Sequence, residues 1–332
     1  MAIILGIESS CDETSASILS GRKILSNLIA DQKVHAAYGG VVPELASRAH
    51  QQNIVPVVQE TIKMAGIMPN QIDAIAYTRG PGLLGSLLVG SSFAKGYSMG
   101  LKKPLIEVNH MQAHILAHFI EDNSTIPEFP FLCLTVSGGH TQIVKVDGPT
   151  SMKIIGETLD DAAGEAFDKA AKMMDIDYPG GPLIDKYASK GNSKRFHFKV
   201  ANVSDYNFSF SGLKTAILYF LRNQTKNDPV FIQKNLEDLC ASIQDSILNA
   251  LMQKLEKAVN DYNVKEVAIA GGVSANSALR ARLKKKENWK THIPKFEYCT
   301  DNAAMIAAAA SFLYERKIFG DLQSVPLARM KF

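Results

Sequence analysis

The stretch Ile3-Ile-Leu-Gly-Ile-Glu-Ser-Ser-Cys-Asp-Glu-Thr-Ser-Ala-Ser-Ile-Leu19 reads as two short apolar strands, Ile3–Ile7 and Ala16–Leu19, around a polar turn. Apolar runs of this length bounded by small and polar residues are the pattern of buried strands. The same plan returns at Phe131-Leu-Cys-Leu-Thr-Val-Ser-Gly-Gly-His-Thr-Gln-Ile-Val-Lys-Val146, where Phe131–Val136 and Gln142–Val146 flank a Ser-Gly-Gly-His-Thr turn. Each hairpin is followed by a strand, a glycine-rich turn and a helix. In the first half this is Ile72–Tyr97, with Arg79-Gly-Pro-Gly82 as the turn, and in the second it is Val264–Leu283, with Gly271-Gly272. The order occurs twice, so the chain carries a weak internal repeat.

Working outward, Ala74–Tyr77, Leu105–Val108 and Val267–Ala270 read as further strands. Helical periodicity marks Glu44–Met64, Leu84–Met99, Asn109–Phe119, Leu213–Leu221, Asn235–Tyr262, Asn276–Lys285 and Ala303–Arg316. Alternation of strands and helices makes the class α/β. Two α/β halves that each open on a hairpin are similar to the two-lobed actin, Hsp70 and sugar-kinase (ASKHA) architecture, in which tight hairpin turns present backbone N–H groups to phosphates. The expected division is residues 1–108 plus 305–332 as the N-terminal lobe, and 109–304 as a C-terminal lobe with a helical insertion.

Composition agrees with this size. At about 100–200 residues per domain, 332 residues allow two domains. With 46% hydrophobic and 21% charged residues, disorder is excluded. The longest apolar stretches, such as Ala303–Leu313, fall short of the roughly 20 residues that span a bilayer, so no membrane role is expected. Cys11, Cys133, Cys240 and Cys299 form no CxxC pair, which points away from a disulfide framework and toward a cytoplasmic location. The formal charge of +3 permits nucleic acid without requiring it.

Several residues have the types that carry chemistry. His110 and His114 are four apart at the start of a predicted helix, so both imidazoles share a face and can reach one metal ion, and His118 extends the stripe. The pair lacks the glutamate of an HExxH zinc peptidase, since position 111 is Met and position 112 is Gln. Asp301 is the best third ligand, with a helix N-cap as its plainer role. Two histidines and one carboxylate favour Fe2+, with Zn2+ as the alternative. Ser137-Gly-Gly139 permits close approach of a phosphate, and Gly271–Asn276 fits an adenosine cradle, although a ligand-free hairpin or helix start would look the same. Glu8, Asp12 and Glu13 are acids in the first turn. Asp160, Asp161, Glu165 and Asp168 form an acidic helix start, and Tyr178-Pro-Gly-Gly-Pro182 reads as a rigid turn able to bring Asp168 and Asp185 to one ligand. The segments Lys190–Lys199 and Arg280–Lys290 are basic, the first with Phe196 and Phe198 interleaved, as an RNA-binding face requires and a solvated surface also allows.

Taken together these blocks resemble the TsaD family, the tRNA N6-adenosine threonylcarbamoyltransferases, whose archaeal and eukaryotic relatives belong to the KEOPS complex. The resemblance rests on Gly6-Ile-Glu-Ser-Ser-Cys-Asp-Glu-Thr14, Gly80-Pro-Gly-Leu-Leu84, Asn109-His-Met-Gln-Ala-His114, Leu134-Thr-Val-Ser-Gly-Gly-His-Thr-Gln142, Asp160-Asp-Ala-Ala-Gly-Glu-Ala-Phe-Asp-Lys169, Tyr178-Pro-Gly-Gly-Pro182, Phe208-Ser-Phe-Ser-Gly-Leu-Lys-Thr215, Gly271-Gly-Val-Ser-Ala-Asn276 and Cys299-Thr-Asp-Asn-Ala-Ala-Met305, in order along nearly the whole chain.

The resemblance implies one divalent metal per chain on His110, His114 and Asp301. It further implies an adenylate site including Thr135, Val136, Ser137, Gly138, Gly139, Asp168, Gly181, Asp185 and Asn276, and catalytic acids Asp12 and Glu13. The implied reaction moves the threonylcarbamoyl group from threonylcarbamoyl-AMP to N6 of the adenosine adjacent to the anticodon in tRNAs that read codons starting with A. Bacterial members work with a TsaB paralogue and a TsaE ATPase. A metallopeptidase and an ASKHA-type kinase or ATPase are the alternative activities. Gln112 departs from the glutamate frequent between the family's histidines, and no role is carried over to it.

Overall fold

The computed structural model describes residues 1–32, 35 and 38–332. Its elements follow one plan twice. The first half runs β1 (Ile3–Glu8), β2 (Thr14–Ser20), β3 (Lys23–Ala30), α1 (Pro43–Met64), β4 (Ala74–Gly80), α2 (Leu84–Leu101), β5 (Leu105–Asn109) and α3 (His110–Leu116). The second runs β6 (Phe131–Val136), β7 (Thr141–Gly148), β8 (Ser151–Glu157), α4 (Ala163–Met173), α5 (Gly180–Ala188), α6 (Ser211–Asn227), α7 (Phe231–Tyr262), β9 (Glu266–Ala270), α8 (Ser277–Lys284), β10 (Lys290–His292) and α9 (Ala303–Glu315). The second half carries more helices than the first.

The two sheets have corresponding strand orders, β3-β2-β1-β4-β5 and β8-β7-β6-β9-β10. In each, the hairpin partners are antiparallel while the later strands pair in parallel, β1 with β4 and β6 with β9. The duplicated α/β expectation is met. The edge strands β3, β8 and β10 escaped sequence reading. The exposed positions of β3 and β8 break the apolar run, and β10 has only three residues.

By internal contacts the chain forms two units, residues 1–127 with 147–152 and 294–332, and residues 128–146 with 153–293. The boundaries expected at 108/109 and 304/305 therefore need correction. Helix α3 continues from β5 and packs on α9, which itself lies on β1 and β2, so the segment from Asn109 through Pro127 and the segment before α9 belong with the first sheet. The alanine-rich face of α9 allows this close packing. A Cβ on Gly6 of β1 would sit 2.6 Å from the Ala303 carbonyl oxygen.

Leu5, Ile7, Ile18, Ile75 and Tyr77 meet α1 residues Ile54, Val57, Val58 and Ile62 in the first core. The second core joins Leu132, Leu134 and Ile269 to α4, α6 and α7 through Phe167, Ile217 and Leu248.

Candidate functional site

In the first unit three distant segments meet. Helix α3 begins directly after β5. The side chain of Asn109 caps it by accepting hydrogen bonds from the amides of Met111 and Gln112, at 2.9 and 3.2 Å. The i, i+4 spacing then places His110 and His114 on one face, their rings edge to face with centroids 4.8 Å apart. Asp301 arrives just before α9, whose first amide, on Ala303, donates to the Ser15 hydroxyl of β2 at 2.9 Å.

Asp301 Oδ1 lies 3.3 Å from His110 Nε2 and 3.2 Å from His114 Nε2. One ligand atom from each of the three residues falls within 4.8 Å of the others. His118 is not part of this cluster. It lies in the short 3-10 turn after α3.

The electrostatics of the cluster call for a cation. Burial works against a charged imidazole at His110, yet the Asp301 and Glu8 carboxylates outweigh it and raise the ring's pKa well above its ordinary value. Burial likewise opposes ionisation of Asp301, and the two imidazoles overcome it, holding the carboxyl far below its usual range. A proton on His110 thus occupies the role a metal ion fills. Two imidazole nitrogens and one carboxylate oxygen converging in a largely buried position fit a divalent ion.

The sequence reading set Glu8 among the acids of the turn. The structure corrects this: Glu8 ends β1, is fully buried, and accepts from the Thr78 hydroxyl at 2.6 Å and from His110 Nδ1 at 3.1 Å. Nothing local in the sequence connects it to a histidine 102 residues away.

The turn between β1 and β2 holds Asp12 and Glu13, both half-buried. His50 of α1 clamps this turn, its Nε2 donating to the Cys11 carbonyl at 3.0 Å and its Nδ1 accepting from the Thr14 hydroxyl at 2.7 Å. Burial lowers the His50 pKa, which keeps the ring in the neutral form these bonds need. Burial also raises the Glu13 pKa well above the ordinary carboxylate value, reinforced by the negative charges of Asp301 and Asp12.

The remaining expected residues form a connected circuit in the second unit. Thr135 and Val136 end β6, and the turn Ser137–His140 closes by the Ser137 amide donating to the His140 carbonyl at 2.8 Å. Gly138 and Gly139 face open space. A Cβ on Gly164, in the first turn of α4, would lie 2.5 Å from the Ser137 carbonyl oxygen, and one on Gly271, at φ +84°, would lie 2.5 Å from that of Val136. Farther along α4, Asp168 accepts from the Gly180 and Gly181 amides at 2.9 and 3.3 Å. Asp185 of α5 accepts from the Ser277 amide and hydroxyl, each at 2.9 Å. Asn276 caps α8 through the Leu279 amide at 2.9 Å and donates to Gln244 at 2.7 Å.

Hence Ser137, α4, Asp168, α5, Asp185 and the Gly271–Asn276 segment are linked end to end, with the starts of α4, α5 and α8 at the links. Glycine-bounded turns and helix N-termini together suit an anion. Asp168, Asp185 and Asn276 also hold the frame itself.

Two other expectations change. The stretch Tyr178–Pro182 is not a free-standing turn, since α5 begins at Gly180. Asp160 does not lie at the start of α4. It accepts from the Ser209 hydroxyl and from the amides of Phe210 and Ser211, at 2.5, 2.7 and 3.2 Å, and so anchors the start of α6. The basic segments are largely ion-paired: Lys194 and Arg282 with Asp245, Arg195 with Asp238, Lys286 with Glu256, and Lys290 with Glu266. Lys199, Lys284 and Lys285 stand outside the ion pairs among the described residues.

Comparison with known proteins accords with this arrangement. Full-length HypF in its phosphate- and nucleotide-bound form is 14% identical, over 96% of this chain and 47% of that one, with a TM-score of 0.61. Component A of the Acidaminococcus fermentans (R)-2-hydroxyglutaryl-CoA dehydratase is 16% identical, over 94% and 98%, with a TM-score of 0.54. Together with the paired sheets these likenesses establish the ASKHA type of fold.

In sequence, the tRNA N6-adenosine threonylcarbamoyltransferase of Riemerella anatipestifer is 61% identical over 332 residues, covering 99% of this chain and 97% of the relative. The protein of the same name from Thermosipho africanus is 49% identical, covering 98% of each. The family model described as TsaD, tRNA N6-adenosine threonylcarbamoyltransferase, matches residues 23–308. The chain therefore belongs to the TsaD family of tRNA N6-adenosine threonylcarbamoyltransferases.

Proposed function

We propose that this transferase moves the threonylcarbamoyl group of threonylcarbamoyl-AMP to N6 of the adenosine adjacent to the anticodon in tRNAs reading A-starting codons. The observation that carries the reading is the convergence of His110, His114 and Asp301 in a chain that matches the family over nearly its full length. The donor set favours Fe2+, with Zn2+ as the alternative. A divalent ion bound there supplies Lewis acidity toward an oxygen of the substrate.

The chain's own groups account for the other requirements. The exocyclic amine attacks the carbamoyl carbon, the bond from that carbon to the phosphate oxygen breaks, and AMP leaves with the electron pair. The proton from N6 needs an acceptor. Glu13 suits the role because its raised pKa brings its proton exchange toward neutral pH, and Asp12 beside it is the second candidate. Adenylate binding is assigned to Thr135–Gly139, Asp168, Gly181, Asp185 and Asn276, supported by the circuit of glycine-bounded turns and helix starts.

Peptidase activity gains no support. Gln112 cannot activate water, and Glu8 beside His110 is already committed to three donors.

A TsaB-like paralogue and a TsaE-like ATPase are the proposed protein partners, and the exposed apolar side chains Leu84, Leu88 and Met99 on α2 are consistent with a surface that a partner covers. The proposed location is the cytoplasm. Cys11, Cys133, Cys240 and Cys299 form no disulfide, and among the described residues no helix is long and apolar enough to cross a membrane.

The test is to incubate the chain with both partners, threonylcarbamoyl-AMP and tRNA, then to digest the tRNA and identify its nucleosides by mass. Threonylcarbamoyladenosine is the expected product, and its absence when tRNA and partners are bound would overturn the assignment.

A further inference from the structure

We propose that Glu8 is the positioning residue that makes His110 a metal ligand, by holding the ring so that Nδ1 carries the hydrogen and Nε2 faces Asp301. The proposal rests on the metal-site reading above and concerns a residue that is not itself a ligand.

Glu8 is wholly removed from solvent, and both of its oxygens are engaged. Oε1 accepts from the Ser10 amide at 2.5 Å, while Oε2 accepts from the Thr78 hydroxyl at 2.6 Å and from His110 Nδ1 at 3.1 Å. A carboxylate can only accept, so Nδ1 must donate. With Nδ1 committed to Glu8, Nε2, 3.3 Å from Asp301 Oδ1, is the nitrogen left to meet an ion, which would take the place of the proton held between Nε2 and Asp301. A hydrogen-bonded carboxylate behind a metal-binding imidazole fixes both its tautomer and its angle.

His114 is arranged differently. Its Nδ1 is buried with no hydrogen-bond partner among the described residues, so its orientation depends on packing and on Asp301. Of the two imidazoles, only His110 is anchored from behind, and the anchor is the end of the central strand of the first sheet.

Glutamine has the same shape as glutamate but the wrong hydrogens. In E8Q the Ser10 amide fixes the side-chain oxygen of the introduced glutamine on its own side, which turns the NH2 group toward His110 Nδ1. The ring would then have to accept at Nδ1 and carry its hydrogen on Nε2, where it cannot bind a metal. The Ser10 hydroxyl, 3.2 Å from His110 Nδ1, is a competing acceptor, so it is removed as a control.

The experiment titrates Co2+ into metal-free full-length protein and follows its d–d absorption for the unmodified chain, E8Q, S10A, the E8Q/S10A pair and H110A, alongside the melting temperature of each metal-free protein. Expected is a loss of about tenfold or more in Co2+ affinity for E8Q, deeper in the pair, with S10A alone near the unmodified value. The melting temperature of E8Q should stay within a few degrees, because volume and burial are kept. Equal affinity and an equal spectrum for E8Q would overturn the proposal.

If E8Q does not fold, 15N spectra of the Zn2+-loaded unmodified protein decide the matter. A protonated Nδ1 and a metal-bound Nε2 on His110 support the proposal, and a metal-bound Nδ1 overturns it. Failure of the underlying metal reading is distinct: H110A would then bind Co2+ as well as the unmodified chain, and both claims would fall together.

Discussion

The Cβ that Gly6 lacks would lie 2.6 Å from the carbonyl oxygen of Ala303, so the strand that ends in Glu8 touches, backbone to backbone, the helix that follows Asp301. Glycine is needed here for close approach between β1 and α9. Gly6→Ala should push α9 away and cost about 1–3 kcal/mol as overpacking, read as a lowered melting temperature. Because Asp301 precedes α9, the same variant should also bind metal more weakly. A G6A protein with unchanged melting and unchanged metal affinity would show that this contact positions nothing.

Glu13 sets a pH dependence for transfer. Burial, together with Asp301 and Asp12, raises its pKa, so below that raised value it holds a proton and cannot accept another. The rate should therefore climb with pH on the acid side, with a midpoint well above that of an ordinary carboxylate. Glu13→Gln should remove this limb and lower the rate by about 10²–10⁴-fold, as expected for loss of a general base. A profile for E13Q that keeps the limb would move the role to Asp12.

Asp160 carries a separate, structural pH dependence. Burial opposes its charge, but the Ser209 hydroxyl and the amides of Phe210 and Ser211 prevail and lower its pKa. A depressed folded pKa contributes stability that is present above the unfolded value of about 3.9 and is lost as pH falls through the folded one. Asp160→Ala should cost on the order of 1 kcal/mol near pH 7, as expected for loss of a capping acceptor. The gap in melting temperature should narrow below about pH 4. A gap that is constant into strong acid would contradict the role given to these three donors.

The sequence made the duplicated sheet readable because β1, β6 and β9 are buried along nearly their whole length and are bounded by polar turns. It made His110 and His114 readable because helical spacing is a local property. Asp301 could be named as a candidate from its place before an alanine-rich helix, but its meeting with them depends on α9 packing on β1, a long-range contact. Glu8 and His50 were missed as partners for the same reason: each acts on a group far along the chain. The ion pairing of the basic segments was not legible either, since counting lysines and arginines does not count Asp238, Asp245, Glu256 and Glu266 placed against them.

That pairing sharpens the expectation for tRNA. A lysine already held by a carboxylate gives up that partner when it meets a phosphate, so its net gain is smaller than for a lysine outside such a pair. Replacing Lys199, Lys284 and Lys285 together should flatten the dependence of log affinity on log salt by roughly 0.7–0.9 for each phosphate no longer neutralised. Replacing Lys194 and Arg195 should flatten it less. Equal slopes for all variants would mean that another surface, or a partner, carries the RNA.

The central claim is that the His110–His114–Asp301 centre serves threonylcarbamoyl transfer. Its most direct test is single-turnover transfer to tRNA, with both partners present, titrated with Fe2+ from the metal-free state. The product amplitude should rise to a plateau at one ion per chain and should stay near zero for His114→Ala at the same ion concentrations. Full amplitude from the chelated protein, or an H114A curve that overlays the unmodified one, would contradict the account.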